Sequence, residues 1–251
     1  MIKLSVTIIT FNEERNIARC IDSVKDIADE VLVVDSFSTD KTKEICLLKE
    51  VRFIEHAFEG HIEQKNYALD EATYPHILSL DADEALSTEL QKEVAVIKQN
   101  WQYDAYAFNR LTNYCGKWIH YCGWYPDTKT RLWNREKGRW GGVNPHDRVI
   151  MDAGSTQKHI KQNIEHYSYY TIWQHIDQIN KFSEIGARQA WERGKKSNLL
   201  KILLKPIWKF VRDYFVKLGL LDGYYGFVIS IISAHATFVK YIKIKELQKN
   251  G

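Results

Sequence analysis

Proline is scarce in this 251-residue chain, at four, and glycine is modest, at 13. With no low-complexity tract and no internal repeat, nothing points to disorder or to a solenoid. Cys20, Cys46, Cys115 and Cys122 lack the spacing of a metal site, and Cys20 falls in a helical pattern, so reduced thiols in a cytosolic protein are expected. No G-x-G-x-x-G follows the first strand and no G-x-x-x-x-G-K-[ST] occurs, which argues against a dinucleotide-binding Rossmann enzyme and means that any phosphate is held another way. Long apolar runs are missing too. "MIKLSVTIITFNEE" has an apolar core of about six residues, too short for a signal peptide or a span, and "GFVISIISAHATFV" stops short of the roughly 20 residues a span requires. No transmembrane helix is expected.

What is present is an ordinary globular composition, 45% hydrophobic and 27% charged, which suits one large α/β domain or a domain plus a smaller appendage. The charge is polarised along the chain. From Arg193 onward twelve Lys/Arg face three Asp/Glu, a balance of +9, and since the whole chain is +3 the residues before it carry about −6. The segment "LLKILLKPIWKFVRDYFVKLGLL" mixes these cations with Leu, Ile, Trp and Phe, the composition of a helix lying on an anionic membrane surface. Packing against the main domain is the competing reading.

"LSVTIIT" reads as a strand, followed by "NEERNIARCIDSV" as a helix capped by Asn12, with two acidic residues in its first turn. "DEVLVVDS" and "STDKTKEICLLKE" repeat the pair, then "VRFIEHAF" and "GHIEQKNYALDEA", then the strand "PHILSLDAD". Alternating strands and helices imply right-handed βαβ units around a mostly parallel sheet. Ligands of such sheets bind outside the carboxyl ends of the strands, where residues 10–13, 35–40 and 81–84 fall. Next, "STELQKEVAVIKQNW" has capping-box spacing at Thr88 and Gln91. The stretch from Tyr103 to Met151 is dense in aromatics, glycine and turn pairs and reads as hairpins that shape a pocket. From Tyr169 the pattern is helical again, broken by Pro206 and the 219–226 glycines.

Asp81 and Asp83 end an apolar run. Side chains two apart in a strand share a face, so the two carboxylates are expected side by side, with a hard cation such as Mg2+ or Mn2+ to offset their repulsion. A solvated loop is the plainer reading.

Together, "TIITFNEERNI", "VLVVDSFSTDKT", "EQKNYAL" and "LSLDADE", in order over about the first 85 residues, resemble the inverting family 2 glycosyltransferases of the GT-A fold. "RLWNREKGRWGGVNPHD" and the tail "GLLDGYYGFVISIISAHATFVKYIK" look like the bacterial branch that builds lipopolysaccharide core, in particular its glucosyltransferases. The resemblance implies an α/β fold with a mostly parallel central sheet flanked by helices and a C-terminal helical extension. Its domains would be a GT-A domain over 1–168, divided into a nucleotide half (1–100) and an acceptor half (101–168), and a basic amphipathic extension over 169–251. It also implies a hexose, glucose above others, moved from a UDP-sugar to a lipid-linked or lipid A-core saccharide.

Residue by residue, Thr10, Asn12 and Glu13 look like the lip of the nucleotide pocket and Asp35 like the carboxylate that accepts from the base. Lys65 looks like a diphosphate cation, Asp81 like a ribose or metal contact, and Asp83 like the direct metal ligand. Where D-D-G-S is the commoner form, this chain reads Asp35-Ser36-Phe37-Ser38, leaving one acid instead of two. Arg131 is expected to help neutralise the leaving group, Asp147 to be the general base with His146 as an orienting neighbour, and His166 to be a third metal ligand or diphosphate contact. Trp118, Trp124, Tyr125, Trp133 and Trp140 are candidates to stack on a sugar. Arg131, Arg135 and Arg139 alternate with aromatics, but the acidic balance of the first 192 residues argues against nucleic acid as a partner.

Competing readings of the D-x-D fail or weaken. An EF-hand loop would need an oxygen ligand and Gly where Ala85 and Leu86 stand, and a D-x-D-x-T phosphatase a Thr at Ala85. A sugar nucleotidyltransferase would want a Gly-rich basic loop where "TFNEER" stands, and an idle glycan-binding scaffold would not need Asp81, Asp83 and Asp147 together. The location expected is the cytoplasm, at the inner face of the membrane.

Overall fold

The computed structural model describes residues 1–143 and 146–250, with His146 and Asn250 by backbone alone. In chain order the elements are β1 (Leu4–Thr10), α1 (Ile17–Asp22), β2 (Glu30–Asp35), α2 (Thr42–Leu48), β3 (Arg52–Glu55), α3 (His61–Glu71), β4 (His76–Asp81), β5 (Glu84–Leu86) and α4 (Thr88–Gln99). There follow β6 (Ala105–Tyr114), β7 (Lys117–Ile119), β8 (Asp127–Asn134), β9 (Gly138–Val143), β10 (His146–Met151), β11 (Gln157–Tyr169), α5 (Ile172–Glu192), α6 (Leu199–Val211) and α7 (Gly223–Asn250). The chain divides into two compact units, Met1–Arg110 with Asp127–Tyr167, and Leu111–Pro126 with Ser168–Gly251.

The expected α/β architecture is present. The strand order is β3-β2-β1-β4-β8-β6-β11-β5, with β7 on β6 and a separate β9-β10 hairpin. β3, β2, β1 and β4 pair in parallel, as βαβ units require, whereas β8 joins β4 antiparallel, so only the first half of the sheet follows the parallel pattern. The register decides where function can lie. Thr10 stands opposite Asp35 and Ile9 opposite Asp81, so the ends of β1, β2 and β4 line up in one row. Behind that row the apolar faces of β1 and β4 (Val6, Ile8, Leu78, Leu80) pack on Ile17 and Ile21 of α1 and on Phe108.

Several local expectations are corrected. Asn12 does not cap α1: it has a positive φ of 54°, its Oδ1 accepts from the Thr39 N–H at 2.8 Å, and the helix starts five residues later with no acid in its first turn. α4 is capped by Ser87, whose Oγ accepts from the Leu90 N–H, and not by Thr88. The segment after Asp83 is not a plain loop, because β5 pairs antiparallel with β11. Arg135 closes the end of α3, its Nη1 donating to Leu69 O at 2.7 Å and Ala72 O at 2.8 Å.

In the second unit α5 opens with a capping box, Thr171 with Gln174. Tyr114, Ile119, Cys122 and Ile229 form its core, joined by Trp124, Tyr169 and Tyr225. His175 lies among these rings with Nδ1 3.0 Å from the Tyr114 hydroxyl, and burial pushes its pKa down to about 4. Pro206 does not break the tail, since it sits inside α6; the breaks are a π turn at Arg212–Val216 and a 3-10 turn at Gly219–Asp222. The crossing there is tight, for a Cβ on Gly226 would lie 1.8 Å from Gly219 O. α7 packs against both α5 and α6. The 14-residue apolar run is embedded in this 28-residue helix, and a stretch within Gly219–Lys249 is long and apolar enough to cross a membrane by length and composition alone.

Candidate active site

α3 turns Gln64, Lys65, Ala68 and Leu69 inward, so Lys65 starts from a core position. It is only 4% exposed, and a buried ammonium must find anions close by. It finds two. Nζ lies 3.0 Å from Asp81 Oδ1 at the end of β4 and 2.7 Å from Asp147 Oδ2 on β10, and it stands over the Trp140 ring at 4.3 Å from the centroid.

β8, lying antiparallel beside β4, brings in a second buried cation. Arg131 is 3% exposed, and its Nη2 reaches Asp81 Oδ2 at 3.1 Å and Glu84 Oε1 at 2.7 Å. Glu84, from β5, is fully buried; its other oxygen accepts from the Asp81 N–H at 3.1 Å, and Arg110 approaches it at 3.4 Å while pairing with Asp127 at 2.7 Å. Burial works to raise the Asp81 pKa, but Lys65 and Arg131 outweigh it and hold the carboxyl well below its usual range. For Arg131 burial works the other way, and Glu84 and Asp81 raise its pKa on balance.

Lys65, Asp81, Arg131 and Asp147 line one cavity of about 570 Å³, together with Arg110 and Trp140. Six of the other expected residues, Thr10, Asn12, Glu13, Asp35, Asp83 and His166, stand outside that lining. The chain turns at Ala82–Asp83 and leaves the strand alternation on which the pairing of Asp81 and Asp83 was expected, although the Asp81 charge still acts to raise the Asp83 pKa. Asp83 pairs with His166, Oδ2 to Nε2 at 3.1 Å, and the Tyr167 N–H donates to Asp83 O at 2.8 Å. Burial opposes ionisation of Asp83, but His166 lowers its pKa below the ordinary carboxylate value. Asp35 is fully buried and accepts from Ser38, N–H at 2.7 Å and Oγ at 2.5 Å.

Asn12 ties the loops after β1 and β2 together, its N–H donating to Ser38 Oγ at 2.7 Å. Burial pushes Glu13 up to about 7, opposed by the Asn16 amide and reinforced by the Asp83 and Asp40 charges. Thr10 also lies outside the cavity lining, and its Oγ1 is buried without a partner among the described residues. The side chain of His146, expected beside Asp147, lies outside the described residues.

Trp133 is a fully buried core residue whose Nε1 donates to Gly138 O, so it is not placed to stack on a sugar; Trp140 lines the cavity, and Trp118, Trp124 and Tyr125 fall in the second unit, Trp124 half-buried against its core. Sequence reasoning missed Glu84 and Arg110. Glu84 carried a signal, a third carboxylate directly after Asp81 and Asp83, whereas nothing in the linear order points Arg110 at it.

The model of glycosyl transferase family 2 matches residues 5–163, which contain all of this site except His166. The chain belongs to that family. An uncharacterized glycosyltransferase of Rickettsia prowazekii is 34% identical to it over 98% of this chain and 88% of its own length. The lipopolysaccharide core biosynthesis glycosyltransferase LpsC of Rhizobium meliloti is 27% identical over 96% of this chain and 91% of that one. Among solved structures, the glucosyl-3-phosphoglycerate synthase of Mycobacterium tuberculosis aligns with 45% of this chain and 44% of its own at 21% identity, with a TM-score of 0.37, too distant to bear on the site. This family 2 glycosyltransferase is therefore a transferase enzyme, and its family match covers both the parallel half of the sheet and the antiparallel strands that carry Arg131 and Asp147.

Proposed function

We propose that this glycosyltransferase moves a hexose, with glucose the first candidate, from a UDP-sugar to a saccharide hydroxyl with inversion, in the synthesis of lipopolysaccharide core or a related surface glycan. The observation that carries the reading is the single ammonium of Lys65 held between Asp81 and Asp147 at the wall of one cavity. The LpsC relative supports the acceptor class.

In this reading the donor diphosphate takes its place by Lys65 and Arg131, two preorganised cations that offset charge on the departing nucleotide. Its arrival draws Lys65 Nζ away from Asp147, so the carboxylate oxygen that the ammonium occupies becomes free to accept a proton. The acceptor hydroxyl gives its proton to Asp147 and its oxygen lone pair to the anomeric carbon; the bond from that carbon to the diphosphate oxygen breaks, and its electron pair leaves with the diphosphate. Binding would accordingly be ordered, donor before acceptor. Glu84 holds Arg131 in place, and Asp35 with Ser38 shapes the end of β2 for the nucleoside.

A divalent cation fits beside Asp83 and His166. One carboxylate and one imbedded imidazole touch there, the other ring nitrogen of His166 is buried without a partner among the described residues, and phosphate oxygens would complete the shell. No group of three or more His, Cys, Asp or Glu is preassembled among the described residues, so the donor would supply ligands itself. When bound, the ion would act as a Lewis acid on the diphosphate, and an imidazole ligand favours Mn2+ over Mg2+.

The test is calorimetric titration of nucleoside diphosphates into wild type and Asp83→Ala, with Mn2+, with Mg2+ and with EDTA. Expected is UDP binding that requires the metal and is lost in Asp83→Ala. Failure of folded wild type to bind any diphosphate would overturn the reading and favour a non-catalytic scaffold.

A further inference from the structure

α6 is amphipathic in an unusual way. Leu199, Leu200, Leu203, Leu204, Ile207 and Trp208 recur at i, i+1, i+4, i+5, i+8 and i+9, which places them on one broad face of a 3.6-residue helix, and each is more than half exposed. Single exposed apolar residues are normal on a protein surface; a contiguous stripe of six is not. The helix is not loose, because Ile202, Pro206 and Phe210 are half-buried on a separate seam along which it packs on α7. The stripe continues past the helix end through Phe215, Val216 and Leu221, all more than half exposed.

The remaining arc of α6 is cationic. Lys201 and Lys205 project from it and are exposed; in the turn that follows, Arg212 is exposed and pairs with Asp213 at 2.9 Å, and Lys217 is exposed. Apolar side chains on one face with lysine and arginine on the other, and no acid between 193 and 212, match the chemistry of one occupant, a bilayer surface with anionic headgroups.

Crossing the bilayer is opposed by how α7 is held. Lys243 Nζ donates to Asn180 O at 3.2 Å and to Ser183 Oγ at 3.0 Å and pairs with Glu184 at 3.3 Å, while Ile244 packs on Ala187 and Ala190. A spanning α7 would have to break these contacts or carry the charges of α5, Lys181, Glu184 and Arg188, into hydrocarbon. We infer that α6 and the turns after it form a docking surface that lies in the plane of an anionic membrane, with α7 as its support and not as a span.

The experiment is flotation of the full-length protein with vesicles of phosphatidylcholine alone and of phosphatidylcholine mixed with phosphatidylglycerol, at low and high salt. Two double variants accompany wild type, Leu203→Gln with Ile207→Gln, and Lys201→Gln with Lys205→Gln, all at exposed positions. Expected is binding to the anionic vesicles that high salt releases and that each double variant weakens by about tenfold or more. UDP titration of the same variants stays as in wild type, which separates lost docking from lost folding and from failure of the donor-site reading. Three results would overturn the inference: no vesicle binding by wild type, binding that survives alkaline carbonate extraction as a span would, or a lipid-free dimer that the Leu203→Gln, Ile207→Gln variant dissociates.

Discussion

In the unit of residues 1–110 and 127–167, Lys65, Arg131, Glu84 and Asp35 are charged side chains withdrawn from water. In the unit of residues 111–126 and 168–251 the inversion runs the other way, and α6 turns six large apolar side chains into it. Both arrangements cost free energy in an isolated protein, the first through desolvation and the second through apolar hydration. On the proposed readings each has a neighbour other than water: a polyanionic donor at Lys65 and Arg131, which line the cavity, and a lipid surface at α6. The contrast also separates two ways of placing charge. Around Asp81 the cations are buried and fixed by opposing carboxylates at short range, whereas along α6 Lys201 and Lys205 are exposed to water and act by number.

The largest effect expected from breaking this contrast is on turnover. Asp147→Asn keeps the shape of the β10 side chain and removes its proton-accepting charge, so kcat falls by roughly 10²- to 10⁴-fold while UDP binding is retained, checked by turnover alongside calorimetry. Next comes the buried network. Glu84→Ala leaves Arg131 without its shortest ion pair and costs about 3–5 kcal/mol in urea unfolding, while Glu84→Gln, which keeps an acceptor for Arg131, costs less.

The second unit offers a titration in place of an ion pair. The unfolded chain protonates His175 near 6.5 and the folded chain near 4, so between those values the unfolded state holds more protons and stability falls as pH drops. The loss reaches about 3 kcal/mol below pH 4, and His175→Phe removes that slope, read from denaturation at a series of pH values. The smallest effect sharpens the contrast best. Leu203→Gln with Ile207→Gln changes unfolding free energy by about 0.5 kcal/mol or less per site, since neither side chain is buried, even as it weakens vesicle docking by about tenfold or more.

How much of this was legible depended on whether the determining contact is local. The strands β1 to β4 and helices α2 and α3 announce themselves by apolar periodicity, and the row of Thr10, Asp35 and Asp81 follows from strand ends alone. Lys65 could be picked out as a cation, but its place between Asp81 and Asp147 could not, because 82 residues separate it from Asp147. The turn at Ala82–Asp83 defeated strand alternation where β5 begins, since three residues pairing with β11 carry too little pattern to be read. Asn12 misled for a physical reason: an Asn before a helix suits a cap and also suits a left-handed turn, and here the turn won. Pro206 likewise looked like a break, yet it lies within α6.

The contact between Gly219 and Gly226 bears on how this tail can vary. Because the missing side chain at 226 faces a main-chain oxygen at 219, the crossing tolerates no substitution without opening, and an insertion or deletion between the two would slide one strand of the crossing past the other. The outer face of α6 faces no such limit, as any apolar residue serves there. Substitution is therefore expected to be tolerated along the outer face of α6 and refused at the Gly219–Gly226 crossing, so that the tail combines a variable face with a geometrically fixed turn.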